Sequence, residues 1–66
     1  MEIIVNGETC ALPADATAAH LIDVLELRGK RVAMEVNGEI VPRSGSSDHC
    51  LREGDRVEIV RAVGGG

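Results

Sequence analysis

The chain closes on Val63-Gly64-Gly65-Gly66, directly after a strand-like run from Arg56 to Val63. Glycine carries no side chain and is conformationally permissive. A terminal glycine run is therefore a thin peptide that fits a narrow tunnel and presents an unhindered α-carboxylate at its tip. A carboxylate held out in this way can be activated by another protein and used as a chemical handle. The same ending also suits a plain disordered tail, and the rest of the chain has to separate the two readings. Fully extended, residues 63–66 reach roughly 13 Å at about 3.3 Å per residue.

Other residue types capable of chemistry are sparse. Nothing matches the Gly-x-x-x-x-Gly-Lys-Ser/Thr phosphate loop. Cys10, Cys50, His20 and His49 lack the short paired spacings of a zinc site. Cys50 with His20 or His49 is the one conceivable nucleophile pair, but no third orienting group or oxyanion hole accompanies it. The two cysteines read as reduced, partly buried thiols. The interior offers no catalytic residue and no metal site, so the Gly66 carboxylate is the only group both chemically distinctive and sterically accessible.

Composition agrees with a small folded unit that lends itself to partners. Sixty-six residues make one domain that buries only about 60% of its unfolded surface. Phe, Tyr and Trp are absent, so the core must come from Val, Ile and Leu, a β-branched mix that favours strands. The net charge of −4 and the lack of aromatics argue against nucleic-acid binding. No apolar run approaches membrane-span length and no signal-peptide pattern opens the chain, so the expected location is cytoplasmic. An acidic surface would suit a basic docking face on a partner.

The elements that must position the tail are legible in the periodicity. Met1–Val5 and Glu8–Leu12 flank Asn6-Gly7, a strong hairpin signal. Asp15 or Thr17 can cap a helix running from about Thr17 to Arg28, with Ala18, Leu21, Ile22 and Leu25 in one stripe and Gly29 as its stop. Arg28, Lys30 and Arg31 would then complement the helix dipole. Val32, Met34 and Val36 alternate with polar neighbours into a third strand, Asn37-Gly38 turns it, and Ile40-Val41 return. Leu51 plugs the polar loop Arg43–Asp48. The last strand runs from Arg56 to about Val63 with Val57 and Ile59 inward. The order β-β-α-β-β-β predicts an α+β domain over residues 1–63, a mixed sheet of four to five strands with one helix on one face, and a flexible tail at 64–66. The helix leaves the other face uncovered, with Glu35, Glu58, Val60 and Ala62 as candidate docking residues.

The blocks Val36-Asn37-Gly38-Glu39-Ile40-Val41-Pro42-Arg43 and Leu51-Arg52-Glu53-Gly54-Asp55-Arg56-Val57-Glu58-Ile59-Val60, with the terminal glycines, resemble the ThiS family of thiamine-biosynthesis sulfur carriers, which have the ubiquitin-like β-grasp fold. Gly64 departs from the family, which commonly has a non-glycine residue before the final pair. The resemblance implies a carrier, not an enzyme. An E1-like adenylyltransferase of the ThiF type would spend ATP to adenylate the Gly66 carboxylate. A cysteine desulfurase or other persulfide donor would convert it to a thiocarboxylate (1-thioglycine). A ThiG-type thiazole synthase would take the sulfur. By residue matching Gly66 carries the sulfur, and Gly65 and Gly64 are the tail needed for activation; no cofactor is bound. Three alternatives remain: a sulfur carrier for another pathway (molybdopterin, cysteine or tRNA thiolation), a ubiquitin-like protein modifier, and a plain β-grasp interaction domain with an inert tail.

Overall fold

A computed structural model describes residues 1–61; the expectations for Ala62, Val63, Gly64, Gly65 and Gly66 lie outside the described residues. Two Asn-Gly pairs build the two hairpins. Strand β1 (Glu2–Val5) returns as β2 (Glu8–Ala11) through Asn6 at φ 49° and Gly7 at φ 85°. Strand β3 (Val32–Val36) returns as β4 (Glu39–Val41) through Asn37 at φ 52° and Gly38 at φ 86°. Positive φ at both central residues is the type I′ requirement, which asparagine followed by glycine meets at low cost.

Strand β5 (Arg56–Arg61) then enters between the hairpins, giving the five-stranded order β2-β1-β5-β3-β4. It runs parallel to β1 and antiparallel to β3, while both hairpin pairs are antiparallel. The parallel ladder is short, pairing only Ile4 with Arg56 and Val5 with Val57. Where β1 turns away, a side chain continues its work. The Asn6 amide oxygen accepts from Ile59 N–H at 2.9 Å and the amide nitrogen donates to Ile59 C=O at 3.2 Å. Asn37 does the same at the other end of the strand. It accepts from Arg56 N–H at 3.0 Å, donates to the Asp55 carboxylate at 3.0 Å, and its own N–H reaches Arg56 C=O at 2.7 Å. The two turn asparagines therefore bracket β5 from both hairpins.

The one α-helix among the described residues, α1 (Ala18–Val24), covers one face. Thr17 caps it, its hydroxyl accepting from His20 N–H at 3.2 Å. Two more of the N–H groups that a helix start leaves without partners donate to the loop that follows β4: Ala18 to His49 C=O at 2.9 Å and Ala19 to Ser46 C=O at 3.1 Å. That loop begins with a 3-10 turn at Arg43–Gly45 and is pinned by buried Leu51, as its apolar character predicts.

The helix stops four residues short of the expected Arg28. Glu26 takes φ 58°, Leu27 N–H bonds Ile22 C=O at 2.9 Å and Glu26 N–H bonds Asp23 C=O at 3.0 Å, a Schellman ending. The reason lies in the apolar pattern. At about 100° per residue, Leu27 would face away from the Ala18–Leu21 stripe. Ending the helix early turns Leu27 back to a half-buried position, at the cost of a left-handed glutamate, about 1 kcal/mol. The helix-dipole role expected of Arg28, Lys30 and Arg31 is consequently not theirs. Arg28 instead forms a two-pronged ion pair with Asp23, both bonds 2.9 Å, which holds the Asp23 carboxyl below its ordinary range. Both groups are exposed, so the pair adds little to stability.

Between helix and sheet lies an entirely non-aromatic core. Ile3, Leu21 and Val57 are its largest fully buried side chains, with Val5, Leu12, Met34, Val36 and Val41 around them. Val57 of β5 stands at its centre, so what holds β5 also closes the core.

The asparagine bracket is open to test. Asn6→Ala removes both bonds to Ile59 and places a Cβ-only residue at positive φ. It should destabilise the domain by about 1–2 kcal/mol. Asn6→Asp keeps the acceptor and should lose less. Urea unfolding of the three proteins ranks them; equal stability of wild type and Asn6→Ala would show that the bracket contributes nothing.

Candidate functional site

On the side away from α1, the sheet presents an uncovered face. Strand alternation puts Ile4 of β1, Ala33 and Glu35 of β3, Ile40 of β4, and Glu58 and Val60 of β5 on it. Register sets them in rows. Ile40 lies opposite Glu35, and Glu35 lies opposite Glu58, so one row crosses three strands; Ala33 and Val60 form the next. Val60 is 58% exposed and Ile40 72% exposed, so the face offers two large aliphatic side chains to a partner beside two carboxylates. Glu58 is exposed and Glu35 half-buried.

Three of the four docking residues expected from sequence, Glu35, Glu58 and Val60, are thus brought together; Ala62 lies beyond the described residues. Ile40 belongs with them and was missed. Its signal was present: buried Val41 fixes the inward parity of β4, which turns Ile40 outward. The tail residues Gly64, Gly65 and Gly66 also lie outside the described residues; Arg61, the last described residue of β5, lies opposite Val32, the first residue of β3.

Elsewhere the surface is poor in chemistry. Among the described residues, no three of His, Cys, Asp and Glu converge as a metal site. Cys10 is half-buried and Cys50 exposed, both as free thiols, so the expectation of partial burial holds for Cys10 alone. Cys50 is exposed because its segment meets the helix start edge-on, through a bridge with Thr17, and Leu51 takes the buried position. No described helix is long and apolar enough to cross a membrane.

A mixed five-stranded sheet with a central final strand and one helix across a single face is the ubiquitin-like β-grasp architecture, an α+β fold. Residues 3–66 match the ThiS family, and the chain belongs to that family. A sulfur carrier protein ThiS from Escherichia coli is 29% identical over 66 residues, covering the whole of both chains. The crystal structure of the thiamine biosynthesis protein ThiS from Geobacter metallireducens superposes with a TM-score of 0.85 at 28% identity, again over both full chains. A thiazole synthase from Paramagnetospirillum magneticum is 38% identical over 66 residues, which span 20% of that protein, so this chain corresponds to about a fifth of it.

The facing carboxylates of Glu35 and Glu58 give a test that needs no partner. Like charges directly opposite on neighbouring strands are unfavourable. Glu58→Gln should therefore stabilise the isolated domain by a few tenths of a kcal/mol at neutral pH, with the gain shrinking in high salt. Thermal melts at two salt concentrations read this; a lower melting temperature for Glu58→Gln would mean that the carboxylates are held by favourable contacts.

Proposed function

We propose that the chain is a cytoplasmic sulfur carrier for the thiazole ring of thiamine, and that residues 64–66 form a flexible arm bearing the reactive group. The observation that carries this reading is the family match through residue 66, glycines included, with full-length similarity to a protein named as a sulfur carrier. The thiazole synthase that contains a segment like this chain supports a thiazole synthase as the protein that takes the sulfur.

The chemistry divides between the chain and its partners. A carboxylate is a poor electrophile. Its oxygen attacks the α-phosphorus of ATP in an E1-like, ThiF-type enzyme, pyrophosphate leaves, and Gly66 becomes an acyl-adenylate. The terminal sulfur of a persulfide, from a cysteine desulfurase or another donor, attacks the carbonyl and AMP leaves. A thiol then cleaves the acyl disulfide, releasing the Gly66 thiocarboxylate and a disulfide. In this scheme the chain binds no cofactor and catalyses no step. Gly65 and Gly64 keep the approach to the carbonyl unobstructed, and the face carrying Glu35, Ile40, Glu58 and Val60 docks the domain while the arm reaches inward.

Intact-mass measurement after incubation with the E1-like enzyme, ATP and a persulfide donor tests the carrier. The mass should rise by the exchange of one oxygen for sulfur, and deletion of Gly65-Gly66 should abolish the rise while leaving the fold unchanged. A lysine-linked adduct would indicate a modifier instead, and a truncated chain that still gains sulfur would sink the proposal. Docking has its own test. Val60→Asp should raise the KM for adenylation about tenfold, equivalent to about 1.4 kcal/mol, at unchanged kcat. An unchanged KM would remove this face from the interface.

A further inference from the structure

The charges of the domain are segregated along β5. Four of the eleven carboxylates, Glu2, Glu39, Glu53 and Asp55, surround the end where β5 begins, where Arg52 and Arg56 are the cations present. The other five of the seven basic residues gather where β5 ends. Arg61 pairs in register with Val32, whose chain neighbour is Arg31. The Arg43 guanidinium donates to the carbonyl of Lys30. Arg28 and Arg43 border one depression of about 210 Å³, floored by Ala19 and Ile22. Of the carboxylates near these bases, Asp23 is already paired with Arg28, and Glu26 lies in the turn that ends the helix. A positive end therefore stands out on a protein of net charge −4. Helix-dipole compensation does not account for it, because the helix has ended at Val24.

Position gives this end its meaning. Five residues separate Arg61 from the Gly66 carboxylate, and at about 3.3–3.6 Å per residue they span at most roughly 18 Å. Any protein that draws Gly66 into an interior site must bring the rim of its entrance against the end of β5. Exposed Arg31, Arg61 and Lys30 would then stand within a Debye length of that rim, where a basic rim would repel them and an acidic one attract them. We infer that Lys30, Arg31, Arg43 and Arg61 form a basic collar around the departure point of the arm, and that it pairs with carboxylates ringing the tunnel entrance of the activating enzyme. The inference rests on the carrier reading and adds to it the chemistry of the partner's surface. It reverses, for this end, the basic partner that the overall negative charge suggests. The two surfaces act differently: the apolar sheet face holds the complex, whereas the collar steers the arm to the entrance and is sensitive to salt.

The test compares three single variants that change net charge identically: Arg31→Glu and Arg61→Glu at the collar, and Arg52→Glu at the opposite end. The probe is the host's own E1-like adenylyltransferase, with stopped-flow association and single-turnover acyl-adenylate formation as readouts. At low ionic strength each collar variant should associate on the order of tenfold more slowly. The deficit should fade as salt rises, and adenylation at saturating carrier should match wild type. Arg52→Glu should associate at close to the wild-type rate. Thermal melts confirm that all three are folded. Equal losses in all three variants would show that only net charge matters and would overturn the collar, as would no loss at Arg31 and Arg61. A wild-type chain that forms no acyl-adenylate would overturn the carrier reading and the collar with it, an outcome distinct from a wild type that reacts and variants that react equally fast.

Discussion

Everything in this domain depends on one insertion: the last strand of the chain must enter between two hairpins made long before it. Each hairpin has a local reason to form, in an Asn-Gly pair that accepts positive φ at both turn positions. Neither can close the core alone. Val57 on β5 is 1% exposed and sits between the inward residues of β1 and β3, so the core exists only when β5 is home. The contacts that bring it home are distant in sequence, and their loop-closure entropy has to be met before they contribute. The two turn asparagines offset part of that cost. Each uses its backbone to make a hairpin and its side chain to hold β5, so the local folding decision and the long-range one are coupled through the same residue.

The hairpins, the buried alternation of β3, the inward parity of Val57 and the plug at Leu51 were legible because each is a period-two or turn-chemistry signal carried by adjacent residues. The helix end was not. Gly29 is a good stop by residue type and does adopt positive φ, yet the chain stops earlier, at a glutamate with no intrinsic liking for that conformation. What decides is the placement of Leu27, a tertiary effect visible in sequence only as one leucine off the apolar stripe. The bracketing by Asn6 and Asn37 was equally hidden, since turn propensity explains both residues fully and leaves no residual signal for a second role.

The candidate site was legible in proportion to how local its causes are. Glu35, Glu58 and Val60 follow from strand parity and meet on one face. Ile40 follows from the same rule once Val41 is known to be buried, which needs the β3–β4 register. The collar could not be read from composition at all. The sequence total of −4 conceals it, and the run Arg28–Arg31 has an ordinary local explanation that holds only if the helix reaches it. Three segments supply the collar, after α1, after β4 and at the end of β5, and only the fold places them together.

A domain of this size carries few degrees of freedom for function. Its core is thin, its stability is expected to be only about 3–10 kcal/mol at 0.05–0.15 kcal/mol per residue, and depressions among its described residues, such as the one floored by Ala19 and Ile22, are open to solvent. The proposed activation would need enclosure, because an acyl-adenylate open to solvent is hydrolysed. On that reading a small carrier gains by leaving the cavity to its partner and contributing an entering arm, and that division would shape the rest. Such an arm is best carried by a strand that does not fray when it is drawn inward, which favours a central strand held from both sides over an edge strand held from one. Since β5 is bracketed at Ile59 by Asn6 and paired at Arg61 with Val32, a pull on the proposed arm would load ladder bonds to β3 and the Asn6 amide together. The insertion that makes the fold hard to assemble would thus be what makes it a firm base for such an arm.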